Sequence, residues 1–377
     1  MTNTSLRPAF EDLGDQVAKP YAAQADGTPI ELKNREEFVG SVFEAAAGIF
    51  STVDDMLKWA DMWLRGVFDP TQTDDICSSQ AGLDHTGTAA KQDASELSHD
   101  AKSLDLDAIL NTEQFQRLLS ASIPIVQPSA LERSYTAGGW IRTQLPNTLG
   151  LMGDNSYIFD PSELPELDRD GPSELVYYHQ GSTVGYFCCI VLVPRTHSAI
   201  VVLTNAIGLN DAADWMAQAV LQVLLDMPVQ VDFVEWSARS ARKLIDSYAS
   251  LKKKIEEGRR PGTMPRPLSS YAGRYVNELG NFVIAISRVS DQSSRQKLQL
   301  CFQARSTQCY ELRHLHDDVF EWSMTLDEVA ARGRFHEFSA EFFKISFRSS
   351  HGGKEVDELI WVENPDFEPE GMVFGKS

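Results

Sequence analysis

Cysteine, basic residues and long apolar runs are all scarce in this sequence. Five cysteines (Cys77, Cys188, Cys189, Cys301 and Cys309) are scattered over 377 residues. The number is odd, the spacings are wide and no Cys-x-x-Cys pair occurs, which argues against a zinc site or a disulfide framework. Cys188 and Cys189 are neighbours in an apolar stretch, so as strand residues they face opposite ways. Both read as small buried residues in a chain that fits a reducing compartment. Lys and Arg number 34 against 54 Asp and Glu, a net charge of −20. Repulsion of that size disfavours nucleic acid and anionic membranes as partners, and the simplest role of the excess acid is solubility. No run of about 18 apolar residues exists, so no membrane-spanning helix is predicted. Met1 to Ala23 lacks the basic-then-apolar pattern of a signal peptide, which favours a cytoplasmic location.

What remains is ordinary globular material, 42% hydrophobic and 23% charged, with room for two domains. Residues 1–38 are polar and turn-rich. Ser51 and Thr52 each stand three positions before an Asp, a variant of the capping box. Met56, Trp59, Ala60 and Trp63 follow at helical spacing, which predicts a helix of about three turns with an aromatic-rich buried face. Residues 70–107 lose apolar periodicity and read as a flexible insertion. A short helix is predicted around Asp107 to Leu119.

The strongest strand signal spans residues 176–204. Val176-Tyr177-Tyr178-His179 leads into a nearly continuous apolar run, Val184 to Val193. A turn at Pro194 to His197 precedes a second apolar run, Ala199 to Leu203. This predicts an antiparallel hairpin covered on both faces. Asn210 or Asp211 then caps a helix that Pro228 stops. Helices laid on an antiparallel sheet make an α+β unit. Trp236 to Glu257 is helical, and the Pro- and Gly-containing residues up to 267 complete a linker. From Leu268 onward, six short strands are predicted: Phe282–Ile286, Leu298–Phe302, Tyr310–His314, Val319–Met324, Phe343–Phe347 and Glu358–Trp361. Their even spacing suggests a small barrel or sandwich.

One cluster carries chemistry. Tyr178-His179-Gln180-Gly181-Ser182 ends a strand with an imidazole, a residue without a Cβ and exposed backbone N–H groups. Such groups polarise a carbonyl and stabilise an oxyanion. Alone the triplet is common, and on local sequence a buried His bonded to a backbone carbonyl explains it better. His314-x-His316 is the closest histidine pair, but two histidines on a strand pattern are ordinary barrel-surface residues rather than a metal site. No cofactor-binding motif is read from the sequence.

The ordered set changes the weight of that triplet. Ala47-Gly48-Ile49-Phe50-Ser51-Thr52, then Gly138-Gly139-Trp140, then Tyr178-His179-Gln180-Gly181-Ser182 with Gly185, then Ile200-Val201-Val202-Leu203-Thr204-Asn205, closely resembles the class C serine β-lactamase, D-aminopeptidase and transesterase family. Arg142-Thr143-Gln144-Leu145-Pro146 and Leu209 to Trp215 resemble its fungal members. Leu268-Ser269-Ser270-Tyr271-Ala272-Gly273-Arg274-Tyr275 looks like the opening of the lipocalin-like C-terminal domain many of them carry. The resemblance implies an incomplete β-lactamase-like antiparallel sheet with helices over residues 1–235, a helical linker at 236–267 and a lipocalin-like barrel at 268–377. It implies that His179, Gln180 and Gly181 occupy the family's third motif. It also implies that the Ser182 N–H forms half of an oxyanion hole, and that the substrate is a small acyl compound of fungal secondary metabolism rather than a β-lactam.

The same resemblance exposes a departure. The family's nucleophile is the Ser of a Ser-x-x-Lys motif early in the chain, followed by Tyr-x-Asn. Ser-x-x-Lys occurs here at Ser240/Lys243, Ser250/Lys253 and Ser294/Lys297, all after the His-Gln-Gly motif. The first two fall in what reads as a solvated linker helix, and about one match is expected by chance. Tyr275-Val276-Asn277 belongs to the barrel opening. The chain is therefore expected to match the C-terminal part of a hydrolase or acyltransferase and to be truncated and inactive by itself. It would self-associate or need a partner supplying the front half. The competing expectation is a non-catalytic binding or regulatory protein.

Overall fold

The computed structural model describes residues 1–6, 16–33, 44–68, 112–125, 133–290, 296–350 and 355–377. The expected insertion at 70–107 and the first residues of the helix expected after it lie outside the described residues, as do Cys77 and Ser294. The chain forms two compact units. Met1–Ala18, Glu36–Asn205 and Asp211–Ser237 make the first, and Lys19–Arg35, Ala206–Asn210 and Ala238–Ser377 the second.

The first unit is built on a six-stranded antiparallel sheet. Its strands are β1 (Ala121–Pro124), β2 (Arg133–Thr136), β3 (Ile141–Leu145), β4 (Glu174–Thr183), β5 (Tyr186–Val193) and β6 (Ser198–Thr204). They lie side by side in chain order, each antiparallel to the next. The apolar pattern predicts only the last three. The first three are missed for different reasons: β1 is exposed throughout, β2 buries polar Arg133, Ser134 and Thr136, and in β3 the buried Thr143 interrupts Ile141 and Leu145. Arg133 donates to Asn147 Oδ1 at 2.7 Å and to the Thr148 carbonyl, which is how a buried guanidinium is satisfied.

Helix α1 (Val53–Phe68) runs past the three turns its apolar spacing predicts. Thr52 Oγ1 caps it, accepting from the Asp55 N–H at 3.3 Å. The buried Asp55 carboxylate accepts from Lys58, the Asn3 N–H and Thr4, and these bonds, Lys58 foremost, hold it down at about 2. The aromatic face buries as expected. Trp59 stacks on Trp140 at 5.4 Å between ring centres, and Trp63 meets Trp140 and Phe115 edge-on. With α2 (Thr112–Leu119), these rings cover Tyr177, Ile190 and Leu192 on one face of the sheet. A four-residue turn, α3 (Asn155–Ile158), precedes β4. The opposite face of β5 and β6 is covered by α4 (Ala212–Leu224), which begins at the expected cap, Asp211. Helix α5 (Phe233–Glu257) follows.

The second unit contains a closed antiparallel barrel. Its strands are β7 (Gly273–Asn277), β8 (Val283–Ser290), β9 (Gln296–Phe302), β10 (Cys309–His316), β11 (Val319–Glu321), β12 (Lys344–Arg348), β13 (Glu358–Trp361) and β14 (Met372–Lys376). Sequential neighbours pair, and β14 pairs back to β7, so no strand edge is left open. All six predicted strands are present, and β7 and β14 complete the circle. Helix α6 (Leu326–Ala331) sits between β11 and β12, with a full capping box at Thr325 and Glu328. Aromatic side chains fill the interior, among them Tyr271, Tyr275, Phe302, Trp322, Trp361 and Phe374. Tyr275 donates to the Tyr271 carbonyl at 2.8 Å, a structural use of the Tyr-x-Asn text match. A bulge separates His314 from His316, which meet the Asp317 carbonyl and carboxylate respectively. In this unit the short strand Tyr21–Ala23 pairs with Pro29–Glu31 and, in parallel, with Ala206–Ile207.

Three expectations need correction. Cys301 and Cys309 form a disulfide, because the β9–β10 pairing places them directly opposite each other, a relation no motif spacing reveals. Cys188 is partly exposed, and only Cys189 is buried. Ser240 is buried in α5 rather than solvated, which removes it further from any catalytic role.

Two measurements follow. Trp140→Ala removes a ring that is 2% exposed and touches two indoles, and should cost about 3–5 kcal/mol of stability in urea unfolding. Peptide mapping of non-reduced protein by mass spectrometry should recover Cys301 linked to Cys309, with Cys188 and Cys189 alkylated as free thiols.

Candidate functional site

Strand β4 carries every residue that the sequence singles out. Its residues point alternately to the two faces of the sheet. Tyr177 packs under the tryptophans, so His179 and Gly181 share its face, while Tyr178, Gln180 and Ser182 share the other. His179 and Ser182 are exposed and Gly181 is half-buried, but Gln180 is buried. The four residues therefore lie together along one strand end but do not converge on one point. A two-residue hairpin loop, Val184-Gly185, returns the chain into β5, and Gly185 takes the positive φ of 84° that the turn requires.

Backbone pairing changes midway along β4. On one side it pairs with β5 along to Thr183. On the other, β3 ends at Ile141, opposite Tyr178. Among the described residues, no strand meets that side of β4 from His179 to Thr183. Alternate backbone N–H and C=O groups there are open to a ligand, the condition for holding an extended acyl or peptide-like group by main-chain bonds.

The side chains around this edge are uncharged near neutral pH. Crowding lowers the pKa of His179 below the usual histidine value, although the Gln180 carbonyl opposes the shift. Cys188 pairs across the hairpin with Gly181, whose lack of a Cβ makes room for the Cys188 sulfur. Burial pushes the Cys188 thiol up, with Asp211 adding repulsion, so it is not a thiolate nucleophile.

A group of acids lies beneath Gln180, of which the sequence marks only Asp211, as a candidate helix cap. Asp211 is the N-cap of α4, its Oδ1 accepting from the Asp214 N–H at 3.0 Å. Asp214 is bound on both oxygens, by Asn155 Nδ2 at 2.8 Å and Gln218 Nε2 at 2.7 Å. Asn155 also joins the Asp211 backbone, donating to its carbonyl and accepting from its N–H, each at 3.0 Å. Asp154 is half-buried beside them. Gly150 and Gly153 let the chain lie against these groups. A Cβ on Gly150 would fall 2.6 Å from Asp214 Oδ2, and one on Gly153 would fall 2.7 Å from Asp211 Oδ2.

Burial raises all three acids. Asp154 rises to about 6, and Asp214 also rises, although Asn155 and Gln218 bonds oppose the shift. Asp211 rises furthest, to about 8, through burial and then repulsion from Asp214. A helix N-terminus ordinarily stabilises a carboxylate by about 0.3–1 kcal/mol. Desolvation of a buried ion amounts to several kcal/mol and wins here. The available signal was Asp211-Ala212-Ala213-Asp214, two acids three apart at a predicted helix start, which also reads as routine capping.

Comparisons with known proteins are sparse. Residues 258–375, the barrel region, match a family described as a domain of unknown function, DUF3471. No curated protein matches the chain. The chain is similar to an octameric penicillin-binding protein homologue from Pyrococcus abyssi, at 14% identity and a TM-score of 0.36, over 97% of this chain and 54% of that one. It is similar to SurE at 15% identity and a TM-score of 0.31, over 96% and 55%. A structure of SurE with D-Leu matches at 15% identity and a TM-score of 0.27, over 90% and 53%. The chain thus spans about half the length of the solved structures it matches.

The raised acids set a pH dependence. The folded state holds protons on Asp154, Asp211 and Asp214 that the unfolded chain, with ordinary values near 3.8, has released. Their contribution to stability is complete below about pH 4 and is lost as pH rises towards about 8, where Asp211 ionises. The melting temperature should therefore fall across this window. Asp211→Asn keeps a helix-capping oxygen and removes the charge, and should flatten the profile between pH 6 and pH 8 in thermal melts (approximate limits). An unchanged slope would show that Asp211 is not the buried titrating group.

Proposed function

We propose that this chain is the carbonyl-holding part of a β-lactamase-related serine hydrolase or acyltransferase acting on an ester or amide. The observation that carries the proposal is the open edge of β4 beyond Tyr178, where His179, Gly181 and Ser182 stand unpaired by β3. A backbone N–H at Ser182 donates to the substrate oxygen as negative charge develops, and His179, held neutral, offers a hydrogen bond without a competing charge. The small Gly181 lets an acyl group lie against the strand. Gln180 acts from the far side of the strand, so its part is positional. The barrel is read as lipocalin-like from its eight up-and-down strands, with an aromatic-filled interior that makes it a packed domain rather than a ligand cup.

The attacking residue comes from outside the described site. A Ser-x-x-Lys segment followed by Tyr-x-Asn belongs before the sequence motifs seen here, supplied by a longer product or a second chain. Strand β6, at the edge of its sheet with Leu203 exposed, is where such a segment or a further copy would pair. The fungal flavour of the motifs makes a natural-product acyl group the proposed substrate. The second reading, a non-catalytic binding protein, draws on the raised thiol pKa of Cys188, a free thiol beside this edge. A cytoplasmic location is proposed from the polar N-terminus. A Cys301–Cys309 bond intact in protein taken directly from its host would replace it with an oxidising compartment.

A fluorophosphonate probe tests the catalytic reading. The chain as given should remain unlabelled, whereas a product extended upstream through Ser-x-x-Lys should be labelled at that serine. His179→Ala in the extended product should slow labelling by about tenfold to a hundredfold, the scale of one lost transition-state hydrogen bond. If the extended product is inert under conditions that label a related hydrolase, the binding reading replaces the catalytic one.

A further inference from the structure

The acids beneath β4 face away from His179, and acyl transfer gives them nothing to do. Both Asp214 oxygens and Asp211 Oδ1 have partners within the protein. Asp211 Oδ2 lies over Gly153, where the Gln180 amide converges with it, and the Asp154 N–H also bonds the Asp211 carboxylate. A Cβ built on Gly153 would be 2.7 Å from Asp211 Oδ2 and 2.2 Å from Gln180 Nε2.

Gln180 is 9% exposed, yet neither its amide nitrogen nor its amide oxygen has a hydrogen-bond partner. A buried amide left unmade costs about 1–3 kcal/mol for each polar atom. Folded proteins rarely leave one so without an occupant that satisfies it. Charge points the same way as hydrogen bonding. Among the described residues, no Lys, Arg or His pairs with Asp154, Asp211 or Asp214, and no cation holds down Asp154 or Asp214. The buried cation on β2, Arg133, acts instead on Tyr178. Half-buried Asp154 links the cluster to solvent.

We infer that Asp154, Asp211 and Gln180 form a binding site for a primary ammonium group, either a small amine or the amino end of a larger ligand. An ammonium has three donors and no acceptor. Asp211 Oδ2, an Asp154 oxygen and, after the amide turns over, Gln180 Oε1 supply three acceptors. The two assignments of a terminal amide are related by a rotation of half a turn. Among the described residues, no three His, Cys, Asp or Glu side chains are grouped to hold a metal ion, which leaves an organic cation as the fitting charge. Binding would displace the proton that Asp211 carries near neutral pH and release it to solvent. Tyr178 and Cys189 also face the acids, and Cys188 on the far side of the sheet feels Asp211, but burial raises all three, so they stay neutral through this exchange.

Calorimetric titration of the full chain with n-propylammonium chloride tests this, near neutral pH in two buffers of different ionisation enthalpy. Saturable binding with proton release is expected, while tetramethylammonium, which has no N–H, and n-propanol, which has no charge, should not bind. Gln180→Leu should weaken propylammonium about tenfold and Asp211→Asn should weaken it further, with folding checked by circular dichroism. Should either variant unfold, Asp154→Asn at the half-exposed position should still give a loss of at least about tenfold. Absence of saturable binding, equal binding of tetramethylammonium, or variants that bind as well as the parent would overturn the inference, leaving bridging water as the partner of Gln180. The readout is binding alone, so it stands or falls independently of acyl transfer.

Discussion

The pairing of β4 changes at Tyr178, and most of the first unit follows from that. Up to Tyr178 the strand has neighbours on both sides and packs into a core of Trp63, Trp140, Ile190 and Leu192. Beyond it, one side is open while β5 continues to hold the other. Side-chain alternation acts on the same strand. One step along the chain moves a residue from the tryptophan face to the α4 face, so His179 and Gln180 are neighbours in sequence and strangers in space. A motif read as a unit in sequence is therefore two half-sites with opposite surroundings. One offers main-chain groups and an imidazole at the surface, and the other an amide pressed on buried acids.

Burial governs the chemistry of both half-sites. It lowers His179 and raises Cys188, which moves the two away from the charged pair that would make a cysteine nucleophile. Beneath the strand it raises Asp154, Asp211 and Asp214 against the pull of backbone and amide donors. Asp55 marks the contrast. Its side chain is also enclosed, yet there burial is a smaller effect than the bond to Lys58, and Lys58, Asn3 and Thr4 bring it to about 2. A supplied cation and ample donors separate a structural carboxylate from one that holds its proton.

The legible parts of the fold are those in which one period of apolar residues decides the outcome. The aromatic stripe of α1, the hairpin of β5 and β6, and six of eight barrel strands could be read directly, because alternation or helical spacing puts their side chains in the core. Strand β1 could not, since it is exposed throughout, nor could β2 and β3, whose buried positions include Arg133, Ser134 and Thr143. Those residues are inside only because long-range partners such as Asn147 satisfy them. The disulfide escaped for a related reason. Cys301 and Cys309 meet through strand register, a property of the hairpin rather than of either residue.

The candidate site divides along the same line. His179, Gly181 and Ser182 could be named from local sequence because a glycine and an imidazole at a strand end are local features. The acid cluster could not be, because its distinguishing property is that no counter-charge among the described residues meets Asp154 and Asp214, a statement about every described element that packs there. Asp211 has the sequence signature of any helix cap. It differs from one only because Gln180 from β4 and Gly153 ahead of α3 close over it, excluding the water that would otherwise solvate the charge. Capping supplies the geometry and tertiary enclosure sets the protonation state. The same residue can therefore hold a helix end through backbone donors and still remain an acid without a counter-charge among the described residues.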